Sequence, residues 1–285
     1  MRFDVIVVDS MGLKYNEHVT SGVGGTEFAV ARLVLALKSA GKIVLLLTGG
    51  ITLGENLNLE TDVLIIIRNS SIPPIKRRKT IVWAHDSGVA AVPEEPHTLV
   101  CLSKWQADTI VGNGAITHRT TVIIPSMLPD CVYTKVRPPR ELHRWMYASA
   151  AVKGWAETYE AWKAFRGPGD RLRVMSSGYD TAHQYDDPTL EFLPVLGDEE
   201  LVDEICRSEG LFAVNSKPET FGATLAMADA VGTPVLVYAK NGAGGAAEVL
   251  SVTGVTEDAE RAKWFHVKNY RIENILPVWL ELING

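Results

Sequence analysis

The sequence contains 285 residues, of which 46% are hydrophobic and 22% are charged; these proportions are typical of folded globular proteins and exclude a mainly disordered chain. With 28 basic and 34 acidic side chains, the formal net charge is −6, which argues against a nucleic-acid-binding surface over the whole molecule but not against a local basic patch. No apolar run approaches the ~18–20 residues of a membrane span, and the N-terminus lacks the pattern of a secretion signal, so we expect a cytoplasmic protein.

The first half alternates short apolar runs with amphipathic segments. Apolar residues recur at helical spacing from Val30 to Leu37 and predict a helix over residues 26–40 that stops at Gly41. Ser103 is placed as the N-cap of a second helix. Strands are predicted over residues 3–8, 43–47, 63–67, 80–83, 98–102 and 121–124.

The second half repeats this alternation. Strands are predicted over residues 145–148, 172–175, 211–214 and 234–237. Helices are predicted over residues 155–165, 198–207, 221–231 and 270–282. Between the halves, residues 125–140 are rich in proline and show no periodicity, which indicates a linker.

Continuous apolar strands separated by helices are typical of parallel sheets covered on both faces. We therefore predict an α/β protein with two doubly wound Rossmann-like domains and a cleft between them, over residues 1–135 and 136–285. The last helix is expected to pack back toward the first domain. Ligands of such sheets bind at the carboxyl ends of the strands.

A glycine-rich segment precedes the first predicted helix. Gly22, Gly24 and Gly25 let the backbone approach a ligand closely, and the helix that starts at Thr26 offers unpaired N–H groups suited to phosphate. A flexible turn ahead of a helix explains the same glycines.

His85 and Asp86 follow a predicted strand, so they are expected at the ligand edge of the sheet. Asp86 could orient the imidazole or bind a sugar hydroxyl, whereas a structural role for His85 fits the same position. No serine or cysteine stands at a spacing that indicates a hydrolase triad.

Two segments of the second half also follow strands and open helices. Lys153 stands where its charge would neutralise a diphosphate. Glu219 precedes a helix that begins near Gly222, so its carboxylate could take sugar hydroxyls while the helix N–H groups take phosphate. A solvated lysine and a helix-terminal acid are the plainer interpretations. A further glycine-rich segment, residues 244–249, looks like another loop entering a helix.

In order along the chain, these segments resemble the family 4 retaining glycosyltransferases of the GT-B fold. Residues 24–27 resemble the family's glycine loop, residues 83–86 its strand-end histidine, and residues 101–106 a segment that often follows the next strand. Residues 147–154 resemble the start of the donor domain, and residues 219–235 the Glu-x7-Glu helix with its trailing Gly-x-Pro-Val.

The resemblance implies a metal-independent transferase that moves a sugar from a nucleotide-diphosphate sugar to an acceptor, with residues 1–135 on the acceptor side and 136–285 on the donor side. A UDP- or GDP-sugar is the expected donor, and no cofactor is expected. Catalytic roles fall to His85, Glu219 and Lys153, with His85 shaping the site rather than serving as a general base. The implied donor contacts are Gly24, Gly25, Ser149, Lys153, Phe221, Gly222 and Ala223, and the implied acceptor contacts are Thr26 and Asp86.

The chain departs from the family's pattern in three places. Met227 stands where the motif has its second glutamate, and a thioether cannot accept hydrogen bonds from ribose hydroxyls as a carboxylate does. Ala148 stands where a second basic residue is usual. The chain is also short, mostly in the first domain, which leaves the acceptor open among a glycan, a lipid, a small molecule and a nucleic-acid base.

Alternative functions remain open at this stage. The second hypothesis is a degenerate binding or scaffold protein, which the losses at Met227 and Ala148 motivate. A nucleotide-sugar epimerase shares the architecture but ranks last, because it needs carboxylates that we do not find. Viral-type transfer to modified DNA bases would use a basic patch for phosphates. The candidate patch comprises residues 76–79 with Arg137, Arg140 and Arg144, although the acidic total charge favours a solvated basic face.

Overall fold

The computed structural model describes residues 1–9, 14–19, 24–49, 58–68, 74–86, 97–112, 119–175, 182–214, 217–237, 244–245 and 270–285. The chain forms two compact units. The first comprises Met1–Val19, Gly25–Met127 and Tyr270–Gly285, and the second comprises Thr20–Gly24 and Leu128–Asn269. The division after Met127 falls eight residues before the boundary expected at residue 135, and the C-terminal residues belong to the first unit.

Strands and helices alternate along the part of the chain that the structure describes. The strands are β1 (Arg2–Asp9), β2 (Val44–Thr48), β3 (Glu60–Ile67), β4 (Lys76–Trp83), β5 (His97–Cys101), β6 (Arg119–Ile123), β7 (Arg144–Ala148), β8 (Arg171–Met175), β9 (Leu190–Phe192), β10 (Gly210–Ala213) and β11 (Val235–Val237). The helices are α1 (Gly25–Ser39), α2 (Lys104–Gly112), α3 (Cys131–Thr134), α4 (Trp155–Phe165), α5 (Asp198–Arg207), α6 (Ala223–Val231) and α7 (Ile272–Asn284).

The first unit is built on a parallel sheet in the order β2-β1-β3-β4-β5-β6. Val5 pairs with Val44 on one side and with Val63 on the other, so every carboxyl end lies at the same edge. The strand interiors are apolar because both faces are covered: Val5, Ile65 and Ile81 are fully buried. The order reverses between β1 and β3, which makes the carboxyl ends of these two strands the topological switch point of the sheet.

Helix α1 covers this sheet with one apolar face. Val30, Leu33 and Leu37 recur at helical spacing and are fully buried. The helix ends where Gly41 takes a left-handed φ of +82°, which lets the N–H of Lys42 reach the carbonyl of Leu37 at 3.0 Å. The helix prediction for this segment is confirmed to within one residue at each end.

Helix α7 packs in the first unit. The Trp279 ring is fully buried and meets the Trp83 ring edge to face, with centroids 4.9 Å apart. Lys42 donates to the Asn284 side chain at 2.7 Å, and Lys79 donates to the Leu282 carbonyl. Within the described ranges, neither this helix nor any other is long and apolar enough to cross a membrane.

The second unit has a parallel sheet in the order β11-β10-β7-β8-β9. Its core contains aromatic rings from both sheet and helix, including Trp145, Tyr147, Trp162 and Phe212. The order reverses between β7 and β10, so the loops that follow these two strands flank the switch point. The prediction of two parallel-sheet α/β domains is therefore confirmed.

Residues 125–140 differ from the predicted linker. They include the short helix α3, and two of their cations bind the second unit. Lys135 pairs with Asp203 at 2.9 Å, and Arg137 donates to the carbonyls of Ala230 and Val231 at the end of α6. Exposed carbonyls at a helix C-terminus attract cations, so this segment is fixed in spite of its prolines.

Candidate functional site

Lys153 follows β7 at the switch point of the second sheet. Ser149 comes directly after the strand, residues Ala151–Lys153 form a 3-10 turn, and Gly154 takes a left-handed φ of +112° to start α4. Glycine is the residue that adopts this conformation without steric cost. The turn therefore places Lys153 at the carboxyl edge of the sheet, beside the N-terminus of α4.

Glu219 follows β10 on the other side of the switch point. It forms a parallel bridge with Gly244, and the N–H of Gly245 donates to its carbonyl at 2.7 Å. Phe221 is buried, Gly222 takes a φ of +77° as the N-cap, and Ala223 begins α6. The structure thus confirms the prediction that this helix begins near Gly222.

The two side chains meet as an ion pair. The ammonium of Lys153 donates to Oε2 of Glu219, and the side chains are 35% and 13% exposed. The backbones are also linked, because the N–H of Lys217 donates to the Lys153 carbonyl at 3.3 Å. The structure therefore brings together two of the three predicted catalytic residues, which lie 66 positions apart in the sequence.

Ala148 and Met227, the two residues that depart from the pattern the sequence resembles, lie at this edge and in the helix that follows it. The Ala148 carbonyl accepts a hydrogen bond from the Thr224 hydroxyl at 3.2 Å, which joins β7 to the first turn of α6. Met227 is 4% exposed, so its side chain belongs to the interior of the second unit. Asp229 is also buried, and burial raises the pKa of its carboxyl group.

His85 lies just after β4 at the carboxyl edge of the first sheet. Its side chain is buried, and its ring contacts the Trp83 ring with centroids 4.4 Å apart. Burial, together with the positive charge of Arg68, lowers the pKa of His85 to about 3. An imidazole with this pKa is neutral at physiological pH and is a weak proton acceptor.

The other predicted site residues, in the glycine loop and on the acceptor side, are divided between the two units. Gly24 is buried and groups with the second unit, whereas Gly25 and Thr26 open α1 in the first. Asp86 is exposed, and its backbone carbonyl accepts from the Gln106 side chain at 2.8 Å. Ser103 caps α2 as predicted, with its hydroxyl accepting from the N–H of Gln106.

A charged cluster at the switch point of the first sheet was not predicted. Asp9 ends β1, Arg68 follows β3, and Glu27 lies in the first turn of α1. Arg68 donates from Nε to Asp9 at 3.2 Å and from Nη2 to both Asp9 and Glu27, at 2.5 and 2.6 Å. The Tyr15 hydroxyl donates to Asp9 at 2.9 Å, and burial beside that carboxylate raises the pKa of Tyr15. The sequence signal that could have indicated this cluster is the presence of charged residues at the ends of two apolar strands.

One group of side chains outside these edges has metal-ligating chemistry. His143, Asp170 and Glu209 offer ligand atoms that all lie within 4.8 Å of one another. These residues precede β7, β8 and β10, so they lie at the amino edge of the second sheet, opposite Lys153 and Glu219. A cation held there would not reach the ion pair at the carboxyl edge.

The predicted basic patch is engaged in contacts within the protein. Residues 76–79 belong to strand β4, and Lys76 pairs with Glu60 at 3.2 Å. Arg140 donates to the Gly232 carbonyl at 2.6 Å, and Arg144 pairs with Glu141 and Glu204 at 2.7 Å each. These contacts weaken the case for a DNA-phosphate surface, because most of its cations already have acceptors.

The fold is similar to those of solved glycosyltransferase structures. The glycosyltransferase AviGT4, involved in avilamycin A biosynthesis, superimposes with a TM-score of 0.63 at 16% identity over 98% of this chain and 97% of its own. HepE from Anabaena, in complex with UDP-glucose, gives 0.58 at 13% identity over 99% and 91%. WaaG, a glycosyltransferase involved in lipopolysaccharide biosynthesis, gives 0.57 at 11% identity over 99% and 90%.

The fold of this protein is therefore the two-domain GT-B fold of those glycosyltransferases. No protein-family model matches the sequence, and no curated protein matches it. Identities of 11–16% establish a shared fold but not a shared reaction, because one fold supports many functions.

Proposed function

We propose that this protein is a retaining, metal-independent glycosyltransferase that uses a nucleotide-diphosphate sugar. The observation that carries the proposal is the Lys153–Glu219 pair at the switch point of the second sheet, between the N-termini of α4 and α6. A cation and two sets of helix N–H groups suit a diphosphate, and a carboxylate suits sugar hydroxyls. The structural similarity to HepE, crystallised with UDP-glucose, supports this choice of donor.

The residues divide the chemistry between leaving group and sugar. As the bond from the sugar to the diphosphate breaks, negative charge develops on the diphosphate, and the Lys153 ammonium stabilises it. Backbone N–H groups at Phe221, Gly222 and Ala223 assist from the start of α6. Glu219 holds the transferred sugar, and neutral His85 contributes shape and hydrogen bonding rather than proton abstraction. The departing diphosphate accepts the proton of the acceptor group that attacks on the face it leaves, and attack from that face gives retention.

Lys153 must exchange its Glu219 partner for the diphosphate when the donor binds. Substitutions of the two members of the pair are therefore expected to change nucleotide affinity in opposite directions. Lys153→Met removes the cation and is expected to weaken binding of nucleoside diphosphates about 10- to 100-fold. Glu219→Gln frees the lysine from a competing carboxylate, so it is expected to strengthen binding of a free diphosphate about 5-fold or more while abolishing sugar transfer.

The experiment is calorimetry with UDP, GDP and ADP and their common sugar conjugates, followed by assays of nucleotide release. Lys163→Met and Glu160→Gln are matched controls, because this pair on α4 has a lysine of similar exposure (39%) but lies on the helix surface. Weaker nucleotide binding in Lys153→Met, with both controls unchanged, supports the proposal. Equal loss in a control, or wild-type binding in Lys153→Met, contradicts it.

A binding or scaffold protein without turnover is the second candidate. Buried Met227 favours it, because no carboxylate at this position is available for ribose. Nucleotide release with an acceptor identifies a transferase, whereas binding without release or change of the sugar identifies a scaffold. A changed sugar that stays attached to its nucleotide identifies an epimerase.

A further inference from the structure

The charged cluster of Asp9, Glu27, Arg68 and Tyr15 occupies the switch point of the first sheet. In open α/β sheets this is the crevice where ligands bind, at the carboxyl ends of the strands. The equivalent place in the second sheet holds the Lys153–Glu219 pair that we assign to the donor. The first switch point is therefore the expected position of residues that recognise the other substrate.

Arg68 is held by two of its three nitrogens. Nε and Nη2 donate to Asp9 and Glu27, whose side chains are 0% and 3% exposed. The Arg68 side chain is 19% exposed, and no residue in the described ranges accepts a hydrogen bond from its Nη1. A planar guanidinium fixed on one side by two carboxylates keeps its remaining N–H groups in a set direction.

The backbone of Arg68 is strained. Its φ is +46°, and His143 is the other non-glycine residue with positive φ among those that the structure describes. Such a conformation is energetically unfavourable and persists where the surroundings determine it, frequently at ligand sites. Here the two carboxylate contacts offset the strain and hold the side chain at the carboxyl edge.

The charge of the cluster limits the chemistry of a ligand. Two carboxylates and one guanidinium sum to a formal charge of −1, and the neighbouring His85 is neutral at physiological pH. An anionic ligand would approach a net negative site of low dielectric and be repelled. The remaining N–H groups of Arg68 are nevertheless hydrogen-bond donors, so an uncharged oxygen acceptor fits both constraints.

We propose that Arg68 is a substrate-contacting residue whose Nη1 donates to an uncharged hydroxyl oxygen of a sugar or polyol acceptor. The assignment rests on the proposed transferase function, because it names the substrate that receives the sugar. It excludes a phosphorylated or carboxylated group from this position. Asp9 and Glu27 act as positioning residues for the guanidinium.

The test measures binding of small probes to the full chain by ligand-observed NMR. The neutral probes are methyl α-glucoside and methyl β-galactoside, and the anionic probes are glucose 6-phosphate and glucuronate. Arg68→Lys keeps the cation that both buried carboxylates require but removes Nη1. Arg77→Lys is the matched control, since Arg77 in the same sheet contacts Thr80 and the Ile75 carbonyl near the amino end of β4.

We expect the neutral probes to bind the wild type in preference to the anionic ones, and to weaken about 10- to 100-fold in Arg68→Lys but not in Arg77→Lys. Calorimetry with nucleotides should give wild-type values for both variants. Preference for anionic probes, equal binding by Arg68→Lys, or no binding of neutral probes by the wild type would overturn the proposal. Failure of nucleotide binding in the wild type would instead refute the proposed function.

Glu27→Gln keeps the test decisive if Arg68→Lys does not fold. This variant retains Arg68 and Asp9 and brings the formal charge of the cluster to zero. The discrimination between methyl α-glucoside and glucose 6-phosphate should then narrow several-fold, because the repulsion of the anion is relieved. Unchanged discrimination in folded Glu27→Gln contradicts the role given to the cluster.

Discussion

Gly244 forms a backbone bridge with Glu219. Replacing Gly244 with alanine should therefore reduce activity at the site more than it reduces the stability of the fold. Its φ is +58°, and a Cβ at this position would stand 2.5 Å from the Glu219 carbonyl oxygen, 2.9 Å from Pro218 Cβ and 3.2 Å from the Glu219 nitrogen. Two of these three atoms belong to the backbone, so rotation of a side chain cannot relieve the contact. Gly244→Ala must therefore displace the backbone that carries Glu219.

The displacement can be estimated from these distances. Ordinary contact with a Cβ begins at 3.4 Å, so the two backbones must separate by 3.4 − 2.5 = 0.9 Å along that direction. The hydrogen bond from Gly245 to the Glu219 carbonyl, 2.7 Å long, is lost or stretched by a comparable amount. Misplacement of a substrate-positioning group by about 1 Å costs on the order of 100-fold in rate.

The assay compares Gly244→Ala with Gly232→Ala, a glycine of the same unit with a φ of +76° and no atom within 4 Å of its Cβ position. Both variants place alanine in a left-handed conformation, at a cost of about 1 kcal/mol in stability. Only Gly244→Ala should lose sugar transfer, measured as nucleotide release with the donor that the wild type binds best. Turnover equal to that of Gly232→Ala would refute the claim that Gly244 positions Glu219.

Three further predictions concern stability. Asp187→Asn should lower the free energy of unfolding in urea by about 2–3 kcal/mol, because the 5% exposed Asp187 carboxylate pairs with Arg166. Burial opposes ionisation of Asp187, but hydrogen bonds from Thr189 and Arg166 outweigh it and hold the pKa at about 2 against 3.8. The difference in stability between variant and wild type should therefore shrink as the pH falls from 4 to 2. Trp279→Ala should cost about 3–5 kcal/mol in the same assay, since the side chain is fully buried in the first unit; a loss below 1 kcal/mol would show that α7 adds little. His85→Asn should reduce acid sensitivity between pH 6.5 and about 3, because the unfolded chain takes up a proton in that window while buried His85 does not; unfolding curves at pH 7 and 4.5 decide this, and an equal pH slope in both proteins would contradict it.

Helices were predicted more accurately than strands, for a physical reason. The bounds of α4 and α5 match the prediction to the residue, because amphipathic spacing and terminal residues are local signals. Strand β3 begins three residues earlier than predicted and β4 four residues earlier, at polar side chains such as Lys76. Their pairing with neighbouring strands defines those ends, and pairing over long distances leaves no periodicity in the sequence.

Two differences in the second unit have the same origin. Strand β9 was not predicted, since its three residues follow Asp187 and Thr189 and carry no alternation long enough to detect. Proline-rich residues 125–140 were interpreted as a linker, yet Lys135 and Arg137 bind acidic and carbonyl oxygens more than 60 positions away. The contacts of a surface cation depend on the tertiary structure. Most of residues 244–249, predicted as a loop entering a helix, lies outside the described residues.

The candidate site was predictable where a strand end and a helix start coincide. Lys153 and Glu219 each stand at such a junction, and the carboxyl ends of parallel strands share one edge, although only the structure shows that the two side chains touch. Arg68 gave a weaker signal. Its partners lie 59 and 41 positions away, and the turn that orients it requires a positive φ that arginine rarely adopts.

The two switch points differ in how firmly each cation is held, and this difference matches the two kinds of substrate that we propose. Lys153 is about one-third exposed and pairs with the single carboxylate of Glu219, which is 13% exposed and can turn to the hydroxyls of the bound sugar when a diphosphate replaces it. Arg68 is bound to two carboxylates that are almost fully buried, and releasing it would leave uncompensated charge in the interior. A cation that can exchange partners, such as Lys153, can neutralise the charge of a ligand. A cation bound to two buried carboxylates, such as Arg68, can only donate hydrogen bonds from its remaining N–H groups. We therefore expect Lys153 to recognise the charge of the donor and Arg68 to recognise a hydroxyl of the acceptor, and reversed probe preferences of these two cations in the binding assays would refute that division.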